Sequence, residues 1–116
     1  MESLVSTLFA SIAAGEAGPL ITLSGSVDVT NLADLSEVLA GPRVSQTAHL
    51  RIDASGLSVA DSMAARALAL TAKVLRERGG GMVLVRPQQS LARVLELTGA
   101  DRVMTITRES GTATGP

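Results

Sequence analysis

The 116-residue sequence contains no cysteine, tryptophan or tyrosine, and Phe9 and His49 are its only phenylalanine and histidine. Without cysteine, the chain has no disulfide framework, no thiolate nucleophile and no sulfur ligand for a metal. The near-absence of aromatic side chains argues against base-stacking recognition of single-stranded nucleic acid. It also argues against a binding surface that is anchored on large aromatic residues.

The sequence also lacks a large excess of positive or negative side chains. Ten Lys and Arg residues face eleven Asp and Glu residues, which leaves a net charge of -1, and no basic block is present to neutralise a phosphate backbone. The apolar stretches are short and contain polar residues, so we expect no membrane insertion. Met1-Glu2-Ser3 lacks the basic lead of a secretory signal. We therefore expect a cytoplasmic protein that does not bind nucleic acid.

The sequence does contain enough apolar residues for one core. Its apolar fraction is 46%, and its length is close to that of a single domain. We expect this domain to cover residues 1–108. Residues 109–116 are rich in Gly, Thr and Ser, and we expect them to form a disordered tail.

Strand patterns occur throughout this domain. Residues 4–12 and 20–23 flank a turn that contains Gly15, Gly18 and Pro19, which predicts an N-terminal hairpin whose second strand ends at Gly25. Three further strands are predicted, of which the middle one is buried on both faces; they cover residues 49–53, 82–85 and 103–106.

Helical spacing of apolar residues predicts three helices between these strands. The first covers residues 32–39, with Thr30 or Asn31 as its cap and Gly41-Pro42 as its stop. The second covers residues 62–78, and the third ends at Gly99. The second buries one stripe of side chains: Met63, Ala67, Leu68, Thr71, Val74 and Leu75. The alternation predicts an α/β fold with a mixed, mostly parallel sheet of about five strands and three helices packed on it.

Asp61-Ser62 begins the longest predicted helix, after a predicted loop over residues 54–60. In parallel sheets, loops at the carboxyl ends of strands gather binding sites, and a helix N-terminus favours an added anion. Ser62 could therefore accept a phosphate that repels an acidic partner. The alternative is that Asp61 or Ser62 is only an N-cap. Composition and position by themselves favour the cap.

No other pattern indicates catalysis or metal binding. Gly79-Gly80-Gly81 lacks the Gly-Lys-Ser/Thr ending of a phosphate loop and precedes a strand, so it is interpreted as a helix terminator. His49 has no Asp or Glu at ligand spacing, and core or edge packing is expected for it. The scattered aspartates form no acid–base pair. We expect a protein that is not an enzyme and has no metal or cofactor.

Four segments in the same order resemble the STAS domain family, and within it the anti-sigma factor antagonists of bacteria. Leu23-Ser24-Gly25-Ser26-Val27-Asp28 is similar to the family's Leu-x-Gly-x-x-Asp turn. Residues 50–57, followed by Asp61-Ser62, are similar to its central strand and its Asp-Ser-Ser/Thr-Gly helix start. Residues 78–85 match its glycine break and next strand, and residues 94–101 closely match its VLELTGLD stretch.

The resemblance implies a partner switch that regulates transcription. In this family, an unphosphorylated antagonist docks on an anti-sigma factor, often an ATP-dependent serine kinase, and thereby frees the sigma factor. The kinase then phosphorylates the serine after the Asp, here Ser62, and a serine phosphatase resets it. The antagonist needs no cofactor of its own. The implied partner-binding residues are Asp28, Asp61, Ser62, Met63 and Arg66.

Two departures from the family pattern motivate a second hypothesis. Met63 replaces the usual Ser or Thr, and Ala64 replaces the following Gly, so the chain has more apolar surface beside Ser62. The alternative function is that of a non-phosphorylated STAS adaptor or scaffold subunit of a transport ATPase or a signalling assembly. A third class, a small-molecule or nucleotide sensor, has only the position of the loops to support it.

Overall fold

A computed structural model of the chain describes residues 8–15, 18–59 and 62–108. Asp61, residues 4–7 of the predicted first strand and the predicted tail over residues 109–116 lie outside the described residues. The elements in chain order are β1 Leu8–Ala13, β2 Leu20–Val27, α1 Leu32–Leu39, α2 Pro42–Ser45, β3 His49–Val59, α3 Ser62–Glu77, β4 Gly81–Val85, α4 Gln89–Thr98, a 3₁₀ helix Ala100–Val103 and β5 Thr105–Thr107.

The five strands form one sheet in the order β1-β2-β3-β4-β5. β1 and β2 pair antiparallel, whereas every later pair is parallel. This confirms the predicted hairpin and the mixed, mostly parallel sheet. Each later strand is added on the same side of the one before it. Right-handed crossovers therefore place α1, α3 and α4 on one face of the sheet.

The core lies between these helices and the inner face of the sheet. The central strands contribute pairs of side chains that are at most 1% exposed, namely Ile21 and Leu23, Leu50 and Ile52, and Met82 and Leu84. On the other face, Thr22 is exposed and Arg51 and Asp53 are partly exposed. One face of the sheet is therefore buried and the other contacts water, a division that is common in sheets with an antiparallel part.

Residues 54–59 belong to β3, so the prediction of a loop there was wrong, and β2 likewise continues past Gly25 to Val27. Thr22 pairs with Asp53, but Ser24 pairs with Gly56, so β3 contains one more residue than β2 over this stretch. This bulge changes which alternate positions face the core. The buried residues before and after it are Leu50, Ile52, Ala54, Leu57 and Val59. The broken alternation resembles a loop in the sequence.

Turn-forming side chains at the bulge also explain the wrong prediction. Oδ1 of Asp53 accepts hydrogen bonds from the Ser55 backbone N–H at 3.0 Å and from the Ser55 hydroxyl at 2.7 Å. Gln88, just before α4, donates from its side-chain Nε2 to the Ser55 carbonyl at 3.0 Å. Asp and Ser commonly form such local bonds in turns. Here the bonds stabilise a bulge within a continuous strand.

The buried face of α3 also differs from the predicted stripe. Met63 and Val74, which were assigned to that stripe, are 45% and 43% exposed. Leu68 and Leu75 are buried as predicted, and small residues complete the face: Ala64, Ala65 and Ala72. Alanine lets the helix approach the sheet closely. A pattern that gives weight to large apolar side chains therefore includes exposed residues beside the buried face and omits the alanines within it.

The remaining differences concern the ends of elements. Gly41 separates α1 from α2, an additional short helix that begins with Pro42 at its first position, where proline is favoured. Val103 belongs to the 3₁₀ helix, so the last strand is Thr105–Thr107 and the predicted strand over residues 103–106 began too early. Gly99 ends α4 with a left-handed φ of 78°, as predicted for a C-terminal glycine. His49, for which core or edge packing was expected, is exposed at the start of β3.

The glycine run after α3 ends the helix and packs closely against a neighbouring loop. The Gly80 N–H donates to the Leu75 carbonyl at 3.0 Å, and the Gly81 N–H donates to the Ala48 carbonyl at 2.8 Å. A Cβ on Gly80 would overlap the Ala48 carbonyl oxygen, whereas a Cβ on Gly81 would meet no atom within 4 Å. The two neighbouring glycines therefore differ sharply in the space around them.

We predict that Gly80→Ala lowers the free energy of unfolding by about 2–3 kcal/mol, because the backbone of Ala48 must move. Gly81→Ala serves as the matched control and should change it by less than about 0.5 kcal/mol. Urea unfolding followed by circular dichroism measures both, since the chain has no tryptophan to report by fluorescence. Equal unfolding midpoints for the two variants would contradict the packing described for Gly80.

Candidate functional site

The carboxyl ends of β2 and β3 lie side by side. Their last residues, Val27 and Val59, are paired across the two strands. Asp28 follows Val27 directly, and Ser62 follows Val59 by three positions. Two predicted site residues that are distant in the sequence therefore belong to the same edge of the sheet, where binding sites of parallel α/β folds are usually found.

Ser62 is the first residue of α3, and its side chain is exposed. The capping position of α3 is therefore that of residue 61, which lies outside the described residues, so the cap hypothesis remains a prediction for Asp61. None of the described residues hydrogen-bonds the Ser62 hydroxyl. The hydroxyl is thus open to solvent in the first turn of a helix, where backbone N–H groups favour negative charge.

Asp28 lies in a tight turn between β2 and α1. Its Oδ1 accepts hydrogen bonds from the Thr30 hydroxyl and, at 2.8 Å, from the Thr30 backbone N–H. These bonds, with the hydroxyl contributing most, hold the pKa of the exposed Asp28 carboxyl below its ordinary value. The edge therefore presents a carboxylate whose ionised form these hydrogen bonds favour.

Asn31 holds this turn in place and is the one buried polar side chain in the part of the chain that the structure describes. Its Nδ2 donates to the Ser26 carbonyl at 2.9 Å, and its Oδ1 accepts the Asp28 backbone N–H at 3.0 Å. Asn31 occupies the predicted cap position of α1, but its side chain makes no capping hydrogen bond. It ties the end of β2 to the start of α1, a role that was not predicted.

Two large apolar side chains are exposed near these polar groups. Val29, next to Asp28 in the turn, is 72% exposed, and Met63, next to Ser62, is 45% exposed. We call Asp28, Val29, Ser62 and Met63 the edge surface. Val29 was not singled out from the sequence, because a lone valine in a turn has no pattern. The edge surface thus combines two exposed apolar side chains with a hydroxyl and a carboxylate.

Arg66 lies one helical turn after Ser62 and lines a groove of about 490 Å³ between α3 and the residues that follow α4. Ser62 and Met63 line the same groove, so it brings together three of the predicted site residues. Lys73 of α3 and Arg102 of the 3₁₀ helix also line it. Neither was predicted, and Arg102 reaches this place only because the 3₁₀ helix packs against α3.

The described residues were compared with the arrangements that metal binding and nucleophilic catalysis require. Among them, no three His, Asp or Glu side chains lie close enough to hold a metal ion. No described side chain contacts the Ser62 hydroxyl as the base of a nucleophilic serine would. Within the same residues, the helices are too short or too polar to cross a membrane. The groups that the structure places at this edge are an exposed hydroxyl, a carboxylate and two exposed apolar side chains.

Comparison with solved structures shows a shared fold. The chain is similar to an anti-sigma factor antagonist from Mycobacterium paratuberculosis, with a TM-score of 0.76, 18% identity and coverage of 88% of this chain and 86% of that chain. It is similar to the anti-sigma factor antagonist SpoIIAA in its unphosphorylated form, with a TM-score of 0.69, 16% identity and coverage of 87% and 90%. It is also similar to a serine-to-glutamate variant of RsbS from Moorella thermoacetica, with a TM-score of 0.68, 21% identity and coverage of 87% of each chain.

Sequence comparison identifies the family. No curated protein matches the chain at a significant level. The family model of the STAS domain, however, matches residues 12–113. This match covers the whole sheet apart from the first residues of β1, together with both elements of the edge surface. The chain therefore belongs to the STAS domain family.

Proposed function

We propose that this protein is an anti-sigma factor antagonist that binds an anti-sigma factor with serine kinase activity and is released when that kinase phosphorylates Ser62. The observation that carries the proposal is the exposed Ser62 hydroxyl at the first position of α3. It lies at the same sheet edge as the Asp28 turn. Membership of the STAS family supports this role, in which the protein is a kinase substrate and needs no cofactor.

Phosphorylation would change the character of the edge surface. The unmodified surface offers the apolar side chains of Val29 and Met63, which can exclude water from an interface. A phosphate on Ser62 adds a charge of about -1.5 to -2 beside an Asp28 carboxylate that is already ionised. Docking would then require the removal of water from a strongly anionic group, which is costly unless the partner pairs with it.

The same modification should leave the fold intact. The Ser62 side chain is exposed, so a phosphate displaces no core residue. Negative charge in the first turn of a helix is favourable. The switch we propose therefore acts through the charge of the surface, and a serine phosphatase would restore the binding form by removing the phosphate.

We predict that an anti-sigma kinase from the same genome that binds this protein will transfer one phosphate to Ser62. The protein is incubated with the kinase and ATP, and the site is mapped by tandem mass spectrometry. Ser62→Ala should abolish incorporation. Ser90→Ala is the control, because Ser90 is also exposed in the first turn of a helix that follows a parallel strand. Undiminished incorporation in Ser62→Ala, or none at Ser62, would rule out the proposed switch.

We also predict that Val29→Ala and Met63→Ala each weaken the kinase complex about 5- to 30-fold, the effect of losing an interface contact worth about 1–2 kcal/mol. Both side chains are exposed, so the melting temperature should stay the same. Leu97→Ala is the matched control: Leu97 is 78% exposed in the last turn of α4 and is not part of the edge surface. Titration calorimetry measures the affinities. An equal loss for Leu97→Ala would contradict docking at the edge surface.

A second candidate function is that of a STAS adaptor or scaffold subunit that is never phosphorylated. The exposed Met63 favours it, because a large apolar side chain beside Ser62 suits a permanent interface. Affinity purification of the tagged protein from its own cells separates the two. Recovery of a transport ATPase or a signalling assembly without any serine kinase would favour the adaptor.

A further inference from the structure

The groove between α3 and the 3₁₀ helix is lined by basic side chains. Arg66 and Lys73 line it from α3, and Arg102 lines it from the opposite side. Within the described residues, none of these three forms an ion pair, and no carboxylate lines the groove. Glu96 and Asp101 are close to Arg102 in the sequence but are not part of the lining. The groove is thus a local concentration of positive charge in a chain whose net charge is -1.

The basic surface continues beyond the groove. A shallower depression of about 190 Å³ shares Arg102 and Val103 with it and adds Arg76 of α3. The arginines are exposed at their positions on α3 and the 3₁₀ helix. Several like charges around one concave surface repel one another, and a bound anion would relieve that repulsion.

The size and the remaining lining of the groove restrict the ligand. A volume of about 490 Å³ falls in the usual range for small-molecule sites. Ala69, Ala100 and Val103 provide an apolar part. The Thr98 hydroxyl donates to the Val94 carbonyl of its own helix at 2.8 Å, so the arginines and the lysine dominate the polar lining. These features suit an anionic group attached to a small organic body.

We propose that this groove binds a phosphate group through its basic side chains, with Arg66 at the Ser62 end and Lys73 and Arg102 further along α3. Guanidinium groups bind phosphate oxygens in pairs and are the side chains best suited to this ligand. Two sources of phosphate fit the groove. One is the phosphate on Ser62, in which case the inference rests on the proposed function. The other is a phosphomonoester free in solution, which is independent of that function.

The helix geometry favours contact between Ser62 and Arg66. Residues four apart lie on the same face of a helix, and helical side chains lean towards the N-terminus, so Arg66 leans towards the turn of Ser62. An acidic group four residues before a basic one is the favourable order. Lys73 lies about 10 Å beyond Arg66 along the helix axis. It is too distant for a phosphate on Ser62, but it could contact the other end of a free ligand.

The first arm of the test uses protein in which phosphoserine is incorporated directly at position 62, so no kinase is needed. Phosphorus NMR measures the second pKa of the phosphate, which is about 6 without a partner. Because cations favour the dianion, we expect this pKa to be lower in the folded protein than in urea. Arg66→Gln should raise it by about 0.3–0.7 units, whereas Arg102→Gln, at the other end of the groove, should raise it less. Arg93→Gln, at an exposed position on α4 outside the groove, should not change it.

The second arm uses the unphosphorylated protein and phenyl phosphate as the probe. Proton–nitrogen correlation NMR should show saturable shifts at Gly99 and Arg102, with a Kd of about 1 mM or tighter. Arg102→Gln should abolish these shifts, and Arg93→Gln should retain them. A titration with sodium chloride at equal ionic strength shows which shifts are caused by salt alone. The exchanged arginines are exposed, and circular dichroism checks that each variant is folded.

The two arms give distinct outcomes. A lowered pKa that Arg66→Gln raises, without phenyl phosphate binding, assigns the site to the phosphate on Ser62, and the opposite result assigns it to a free phosphomonoester. If neither response occurs, or if Arg66→Gln leaves the pKa unchanged and Arg102→Gln leaves the phenyl phosphate shifts unchanged, the proposal is overturned. Neither arm requires a kinase. Failure of a kinase to modify Ser62 would therefore count against the proposed function without deciding the phosphate site.

Discussion

The parallel pairing of β2 with β3 on both sides of the bulge is the constraint on which the site depends. If β3 lacked its additional residue, the side chains after Asp53 would face the opposite side of the sheet. With the bulge, Leu57 and Val59 are buried, and the two strands end together at Val27 and Val59. The pairing therefore does two things at once: it completes the core and it brings the Asp28 turn to the edge at which α3 begins.

This arrangement joins a rigid frame to a surface whose charge can change. Asn31 fixes the turn through two hydrogen bonds of its buried amide, and small alanines seat α3 closely on the sheet. The groups that would meet a partner project from these fixed elements. A modification at Ser62 would then alter charge and hydration at one edge while the frame stays as it is. Such a device suits a regulatory protein that must keep its shape in both forms.

Much of the fold could be predicted from the sequence, because the glycine breaks and the alternation of strands and helices are local signals. The hairpin, the parallel order and the end of α4 at Gly99 were confirmed. Features that depend on tertiary contacts were not predicted. The bulge hides the alternation of β3, and alanine carries too little weight in an apolar pattern to reveal the buried face of α3. Arg102 lines the groove only because the 3₁₀ helix packs against α3. Asn31 hydrogen-bonds to the end of β2 only because α1 begins beside it.

In the proposed switch the charge at Ser62 controls docking, so the two forms of the protein should differ in their affinity for the kinase. The unmodified protein and the protein with phosphoserine at position 62 are titrated separately with the cognate anti-sigma kinase, in the absence of ATP. We predict that the phosphorylated form binds at least about 100-fold more weakly, a difference of about 2.7 kcal/mol. Equal affinities of the two forms would contradict the account, because the edge surface would then bind its partner regardless of the charge on Ser62.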